Sequence, residues 1–448
     1  MNYPLWEVPF LGGAGVIGII ASIHVFLSHF AVGGGIFFAL TERWAFNSGD
    51  NRIYDYLKKH SLFFLIVTTV FGVVTGVGIW WAISLCSPNG THTLIQTYTL
   101  AWAIEYLFFV TEIATFFVYF YSWDKIPRKT HLRLADAYAI LSIFTLLVIN
   151  GILTFMLTPG GWLTSRNWVD GFFNAAYVPA TGMRLIGMLA LAGLYALVTA
   201  SRLRDEAFRV RMLRYAAKWF LPIFFLGPLL AIWIALILPQ APLDIIQNGL
   251  STAASGTFSL MARAMVLSVF LSAALLLMVF VGPYLNARYF SPRAAAALMV
   301  VGLLTVGMME WTREMMRKPY VVYNYMYVNG IRKDEIPAMN RDGATAHARW
   351  IAKDLKGEAL GSELFRAQCM SCHNKQGYRG MDKLLGERDV AAIRGLLQVM
   401  RETDPAKSPY VKIMPPLAGT DAEVDALAAY LSTLNAANRK NEPQLAQR

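Results

Sequence analysis

Cysteine and histidine residues near the end of the chain have the spacing needed to hold a porphyrin. The segment is Cys369-Met370-Ser371-Cys372-His373. Two thiols three residues apart lie on one helical turn, so both can form thioethers to the vinyl groups of a heme, and the adjacent imidazole can bind its iron. A zinc site would need a second cysteine pair, and only Cys86 remains. The motif predicts one covalent heme c with His373 as the proximal ligand.

Residues 358–448 resemble small single-heme cytochromes c. Gly361-Ser362-Glu363-Leu364-Phe365 is similar to the helix that precedes the heme motif, Met414-Pro415-Pro416-Leu417 to the distal methionine loop, and residues 421–434 to the closing helix. The resemblance implies a small all-α class I cytochrome c domain with Met414 as the sixth iron ligand. The alternative for Met414 is a packing role. A thioether ligand raises the reduction potential and favours electron transfer.

The rest of the chain has the composition of a membrane protein, with 56% hydrophobic and 15% charged residues. Eight apolar segments are each long enough to span a bilayer. The first follows Met1-Asn2-Tyr3-Pro4 without a basic region, so we expect it to remain in the membrane. We predict a polytopic all-α bundle over residues 1–330, a polar connector at 331–357 and the cytochrome domain at 358–448. The segments are 12–42, 61–86, 94–122, 134–158, 172–201, 216–238, 257–285 and 294–316.

Basic residues in the loops predict the orientation. The loops after segments one, three, five and seven contain sixteen lysines and arginines, whereas the opposite loops and the N-terminus contain only Arg166. The positive-inside rule therefore places the N-terminus outside. An even number of segments returns the chain to that side, so the cytochrome domain is expected on the extracytoplasmic face of an inner membrane. The net charge of +11 is a topology signal and does not indicate nucleic-acid binding.

The few ionisable residues within the apolar segments are functional candidates, because such groups are costly inside a bilayer. His24 and Glu105 lie about 15 to 18 Å from the outer ends of their helices at 1.5 Å per residue. At that depth they could face each other across a heme. Glu105 and Glu112 are seven residues apart and share one helix face. A stacked pair of this kind suits proton delivery from mid-membrane.

A charged stripe is predicted in the eighth segment. Glu310, Arg313, Glu314 and Arg317 lie at positions i, i+3, i+4 and i+7 of one helix. Arginines there can bind heme propionates, and a carboxylate can bind iron. The alternative is that these charges pair with one another inside the bundle.

The eight segments resemble subunit I of the cytochrome bd oxidases. The matching motifs are His24-Val25-Phe26-Leu27 followed by Gly33-Gly34, Ala103-Ile104-Glu105, Thr111-Glu112 followed by Trp123-Asp124, Arg263-Ala264-Met265, and Glu314-Met315-Met316-Arg317-Lys318-Pro319-Tyr320.

The resemblance implies specific roles for these residues. His24 and Glu105 would hold the reactive high-spin heme and Glu112 would relay protons. Glu314, with Arg317 nearby, would bind a second high-spin heme, while Met265 after Arg263 would bind a low-spin heme b. It further implies one or two hemes b, with heme d as an alternative at the reactive site, and a second membrane subunit like subunit II of that family.

This sequence departs from the family pattern at three places. The fifth-helix histidine expected near Met183 or Arg184 is absent. Either Met183 pairs with Met265 in a bis-methionine heme, or that heme is altered or missing. The extracytoplasmic loop that oxidises quinol is reduced to about residues 239–256, and the ninth helix is replaced by the cytochrome domain.

These features predict an oxidoreductase. The leading hypothesis is a bd-like terminal oxidase subunit I that receives electrons from a cytochrome c-type donor through heme c and reduces oxygen at buried hemes. A non-catalytic membrane anchor that conducts electrons between a periplasmic redox enzyme and the quinone pool is the alternative. Reduction of nitric oxide or another small oxidant is a third hypothesis.

Overall fold

The computed structural model describes residues 3–240, 242–243, 246, 259–404 and 407–435. Within these residues, eight helical spans are long and apolar enough to cross a membrane, which confirms the predicted number. They are Gly12–Ser48, Asn51–Cys86, Thr99–Tyr121, Arg128–Phe155, Tyr177–Ala200, Glu206–Ile237, Arg263–Leu285 and Pro292–Arg317. The all-α class is also confirmed, since the described strands are two short segments.

The first half of the chain is largely helical. Its elements are α1 (Gly12–Ser48), α2 (Asn51–Leu65), a π-helical stretch (Ile66–Gly72), α3 (Val73–Cys86), α4 (Pro88–Thr97), α5 (Thr99–Tyr121), α6 (Arg128–Phe155), α7 (Trp162–Ser165), α8 (Trp168–Phe172), α9 (Tyr177–Ala200), α10 (Glu206–Lys218) and α11 (Leu221–Ile237).

The second half contains two more membrane helices and then short elements. These are α12 (Ser259–Val279) with a π-helical end (Phe280–Leu285), a 3-10 turn (Ala287–Tyr289), α13 (Pro292–Arg317), β1 (Tyr320–Val322), β2 (Met326–Tyr327), a 3-10 turn (Lys333–Glu335), α14 (Ile336–Asp342), a 3-10 turn (Thr345–His347), α15 (Gly357–Gln368), α16 (Met381–Leu384), α17 (Val390–Met400), a 3-10 turn (Pro409–Lys412) and α18 (Asp421–Thr433).

The chain forms two compact units. The membrane unit comprises residues 21–78 and 98–313, and the second unit comprises the described residues of 1–20, 79–97 and 314–448. An aromatic core fills the membrane unit, with Phe30, Phe37, Phe38 and Phe64 fully buried. Such packing supplies the van der Waals contacts that hold helices together where lipid removes the hydrophobic driving force.

Packing of α15 against α18 organises the second unit. A Cβ atom at Gly361 would lie 2.2 Å from the Ala426 carbonyl oxygen, so only glycine permits this close approach. Phe365 beside it is fully buried and lies with its ring 5.9 Å from that of Tyr430. The antiparallel pair β1 and β2 precedes these helices, with Tyr320 opposite Tyr327.

The predicted domain boundaries at 330/331 and 357/358 stay predictions. Ile331 and Met339, from the predicted connector, are buried in the same hydrophobic core as α15 and α18. The predicted loop at 239–256 falls largely outside the described residues, as do residues 436–448 at the end of the predicted cytochrome domain.

Candidate functional site

His373 is arranged as an iron ligand in the second unit. Its Nδ1 lies 3.3 Å from the Arg379 carbonyl oxygen, which can only accept, so Nδ1 carries the proton and Nε2 keeps its lone pair. Burial lowers the pKa of His373 to about 4, so the ring is neutral at pH 7. Neutral imidazole is the form that binds iron. The donor set therefore fits a c-type heme.

The two thiols follow directly after the end of α15. Cys369 is the C-cap of that helix and is not in a disulfide, and neither is Cys372. Burial, reinforced by the nearby Cys372, raises the pKa of the Cys369 thiol to about 12. Lys318 Nζ lies 3.7 Å from Cys372 Sγ. Both cysteines thus sit on the turn that the sequence motif predicted.

Gln368 joins this motif to the loop that contains Met414. Its side-chain amide donates to the Ala418 carbonyl at 2.7 Å and accepts from the Ala418 N–H at 2.9 Å. Met414 is half-buried, and its backbone N–H donates to the Tyr410 carbonyl at 2.8 Å. The paired amide hydrogen bonds fix the spacing between the thiols and the methionine loop.

His24 in the membrane unit has the same arrangement as His373. Its Nδ1 lies 3.1 Å from the Thr75 hydroxyl, which itself donates to the carbonyls of Phe71 and Gly72. With the hydroxyl hydrogen directed at these carbonyls, Thr75 accepts from Nδ1–H, and the lone pair of the ring is then on Nε2. Gly76 provides room, since a Cβ there would lie 3.2 Å from His24 Cε1. The π-helical stretch just before Thr75 is of the kind that often marks functional sites.

Glu105 and Glu112 lie on one face of α5. Glu112 is buried and accepts from the Thr145 hydroxyl at 3.1 Å, and it also interacts with the Tyr138 hydroxyl. Glu105 is half-buried and interacts electrostatically with Glu112. In the predicted stacked pair, Glu112 therefore has hydrogen-bond partners on α6.

Arg184 belongs to a charged cluster. It interacts electrostatically with His29, Glu310 and Arg313, and Arg313 donates to Glu310 at 2.7 Å. Glu310 and Arg313 of the charged stripe therefore pair with each other, as the alternative interpretation of the stripe expected. Met183 and Met265 are both half-buried, while Arg263 is exposed. The proposed pairing of Met183 with Met265 stays a prediction.

Glu314 is paired in the second unit. Arg317 donates to its Oε2 at 2.5 Å, and Lys318 Nζ lies 3.4 Å from its Oε1. Both carboxylate oxygens therefore face cations, and the role of Glu314 as an iron ligand stays a prediction.

Sequence reasoning missed several polar residues in these sites. Thr75, Tyr138 and Thr145 are not ionisable near neutral pH, and only their contacts reveal a role. Glu42 and His131 were missed because they lie at or beyond the ends of the apolar segments. One sequence signal could have indicated three of them. His131, Tyr138 and Thr145 are spaced by seven residues, so they share a helix face.

Comparisons with known proteins identify two segments of the chain. Residues 16–237 match the family model described as cytochrome bd terminal oxidase subunit I, and residues 358–435 match that of cytochrome c. The chain is a cytochrome bd subunit I-like membrane protein fused to a cytochrome c domain. The bd-like part contains His24, Glu105 and Glu112, and the cytochrome c part contains the thiols, His373 and Met414. The family implies hemes. The protein is therefore a multi-pass membrane oxidoreductase of electron transport.

A solved structure shows the same fold for the bd-like part. This is the bd oxidase from Geobacillus thermodenitrificans, with a TM-score of 0.59 and 18% identity over 70% of this chain and 88% of that chain. No curated relative matches the chain significantly. The resemblance to bd subunit I and to cytochrome c that the sequence motifs predicted is confirmed.

Proposed function

We propose that this protein is the catalytic subunit of a bd-like terminal oxidase that accepts electrons from a cytochrome c-type donor. The observation that carries the proposal is the match of residues 16–237 to cytochrome bd subunit I, within which Thr75 contacts the His24 imidazole at Nδ1. Heme c and one or two buried hemes b, or a heme d, supply electron transfer and oxygen reduction when bound. The residues of this chain hold those groups and manage protons.

Each residue has a definite task in this scheme. His24 and Glu105 hold the reactive heme, because they offer a neutral nitrogen and a half-buried carboxylate. Glu112 holds a proton between Tyr138 and Thr145 and passes it toward Glu105. Positioned acid–base groups of this kind contribute about 10²–10⁴-fold to rates.

In this scheme, electrons enter through the cytochrome c domain and not through quinol oxidation at a loop of the membrane unit. Cys369 and Cys372 would attach heme c, and His373 and Met414 would bind its iron. The loop charges support an extracytoplasmic position for this domain in an inner membrane. A membrane protein like subunit II of the bd family is the proposed partner, and lipid surrounds both.

Oxygen uptake by purified protein, with reduced cytochrome c or ascorbate and a mediator as donor, tests the proposal. The wild type should consume oxygen, and His24→Ala should abolish uptake while the heme c spectrum stays intact. His60→Ala is the matched control, because His60 is also a buried membrane histidine with a threonine partner, Thr199, but lies outside the motif that resembles the family's heme-binding first helix. Intact hemes without oxygen uptake would contradict the proposal.

A non-catalytic electron conduit is the second candidate. The pairing of Glu314 with Arg317 and Lys318 favours it, because a carboxylate held by two cations is a poor candidate for a second iron site. The missing fifth-helix histidine also favours the electron conduit. A reduced-minus-oxidised spectrum with heme extraction separates the candidates: heme d with a high-spin b supports the oxidase, and low-spin hemes alone support the conduit.

A further inference from the structure

A cationic pocket lies between the end of α1 and one face of α10 in the membrane unit. Its volume is about 440 Å³, which falls in the range of about 300–1,000 Å³ that is usual for small-molecule sites. Trp44 comes from α1, and the other lining residues lie on α10. Three of them are the cations Arg211, Arg214 and Lys218, and none is acidic. Nothing in the proposed heme sites uses these residues.

Helix periodicity explains why α10 gathers cations on one side. Arg211, Arg214 and Lys218 lie at positions i, i+3 and i+7 and so share a face. The opposite face of the helix is apolar. An amphipathic helix of this kind rests its apolar face on the bundle and presents its cations at the membrane surface. The buried residues of α10 are Phe208, Met212, Leu213, Ala216 and Ala217.

Contacts with α1 give the pocket its second wall. The Trp44 ring lies 4.8 Å from the Tyr215 ring, and the Tyr215 hydroxyl is 2.9 Å from the Thr41 hydroxyl. The Arg211 guanidinium lies 5.3 Å from the centre of the Trp44 ring. Arg211 also pairs with Asp50, which compensates its charge. Side chains with defined partners therefore form the walls of the pocket.

Arg214 and Lys218 are the two cations left to bind a ligand. Both are exposed, and neither forms an ion pair within the described part of the chain. Arg214 Nε donates to the Tyr284 carbonyl oxygen at 3.2 Å, which orients the guanidinium and leaves its terminal nitrogens for an anion. A phosphate oxygen suits both groups, because guanidinium and ammonium donors form strong, charge-assisted hydrogen bonds with it.

The pocket lies where the chain enters the membrane. Lys218 ends α10, and the apolar helix α11 begins at Leu221. Below the pocket, Leu221 is 49% exposed and Phe225 64%, while Leu40, one turn before Trp44 on α1, is 50% exposed. A molecule with its phosphate beside the cations can therefore place acyl chains along these apolar side chains. A free phosphate ion would contact the cations alone.

We propose that this pocket binds the phosphodiester headgroup of an anionic phospholipid on the basic side of the membrane. Basic pockets between membrane helices are suited to such headgroups. Tryptophan and tyrosine, as at Trp44 and Tyr215, are enriched at the level where headgroups lie. A zwitterionic lipid fits less well, because its own ammonium group would face Arg214 and Lys218. The inference is independent of the proposed function, since none of these residues holds a heme or relays a proton.

Lipid binding measured by native mass spectrometry tests the proposal. The full-length protein in detergent is titrated with phosphatidylglycerol or phosphatidylcholine, and the bound lipid is counted. The wild type should bind phosphatidylglycerol more tightly. Arg214→Gln combined with Lys218→Gln should weaken that binding about twentyfold or more, at about fivefold for each cation. Lys129→Gln combined with Arg133→Gln is the matched control, because these exposed residues are also four apart on a helix but lie outside the pocket.

A charge-preserving variant separates the effect of charge from an effect on folding. Arg214→Lys combined with Lys218→Arg should bind phosphatidylglycerol nearly as tightly as the wild type. Equal binding by the wild type and the double glutamine variant would overturn the proposal, and so would equal affinity of the wild type for phosphatidylcholine. Inorganic phosphate is added as a competitor. If it displaces the lipid at equimolar concentration, the ligand is free phosphate and the assignment to a phospholipid is wrong.

Discussion

His24 Nδ1 and the Thr75 hydroxyl lie 3.1 Å apart, and this contact sets the chemistry of the imidazole. Thr75 donates its own hydrogen to the Phe71 carbonyl at 2.8 Å. In that arrangement Thr75 accepts from Nδ1–H of His24, which directs the lone pair of the ring to Nε2. Contacts of this kind commonly change metal affinity about 10–100-fold when they are removed.

Thr75→Val should weaken heme binding at His24 by about tenfold or more without removing the ligand. Valine preserves the shape of the side chain but cannot accept from Nδ1–H. Heme content and the carbon monoxide difference spectrum measure the effect. Thr68→Val is the control, because the Thr68 hydroxyl also donates to a backbone carbonyl of its helix but does not contact His24. Equal heme loss in both variants would refute a specific role for Thr75.

His24→Ala should remove the reactive heme and leave the heme c signal. His24 and His373 lie in separate units of the chain, so the loss should be confined to the buried hemes. Reduced-minus-oxidised spectra measure both signals in one sample. Retention of all b-type absorbance would refute the assignment of His24.

The fold followed from the sequence because its signals are local. Eight long apolar runs and the thiol motif each lie within one continuous segment, so spacing alone predicted the helices and heme c. The partners of His24 and Glu112 come from distant segments. No periodicity in α1 indicates that Thr75 meets His24, because that contact depends on how α1 and α3 pack. The charged stripe was ambiguous for the same reason, since Glu310 pairs with Arg313 on its own helix and also interacts with Arg184 on another.

Gln368→Leu should loosen the methionine loop of the cytochrome c domain. The substitution keeps a side chain of similar size but leaves the Ala418 N–H and carbonyl without their partner. Unsatisfied buried groups cost about 1–3 kcal/mol each. The expected result is lower stability of the domain and a weaker Met414–iron absorption band in the oxidised protein. If neither the Met414–iron band nor the unfolding of the domain changes, Gln368 does not anchor the methionine loop.

Arg184→Leu should destabilise the membrane unit. It removes a cation that interacts electrostatically with Glu310, but Arg313 still pairs with Glu310, so the cost should stay below the about 3–5 kcal/mol of breaking a buried ion pair. Thermal unfolding in detergent measures the change. Met183→Leu, at the neighbouring position, conserves volume and should cost less than about 1.5 kcal/mol. Loss of low-spin b absorbance in Met183→Leu would instead assign Met183 as a heme ligand.

Glu423 should make the stability of the cytochrome c domain depend on pH. Burial alone would raise the pKa of this carboxyl, but hydrogen bonds from Thr345, Ala344 and Thr420 outweigh it and hold the pKa below 4.5. The two backbone donors of Ala344 and Thr345 lie 2.8 and 2.9 Å from its oxygens. Because the folded state favours the ionised form, this stabilisation is complete above the unfolded-state pKa.

The contribution of Glu423 should disappear as the pH falls through its folded-state pKa, because protonation removes the charge that accepts these hydrogen bonds. Glu423→Gln should lower the free energy of unfolding by about 1–3 kcal/mol at neutral pH. Denaturant unfolding of the full-length protein, followed by heme c absorbance from neutral pH to about pH 3, measures both effects. The difference between wild type and Glu423→Gln should shrink over the acid part of that range. A difference that stays constant across the range would show that the ionised carboxylate is not the source of the stabilisation.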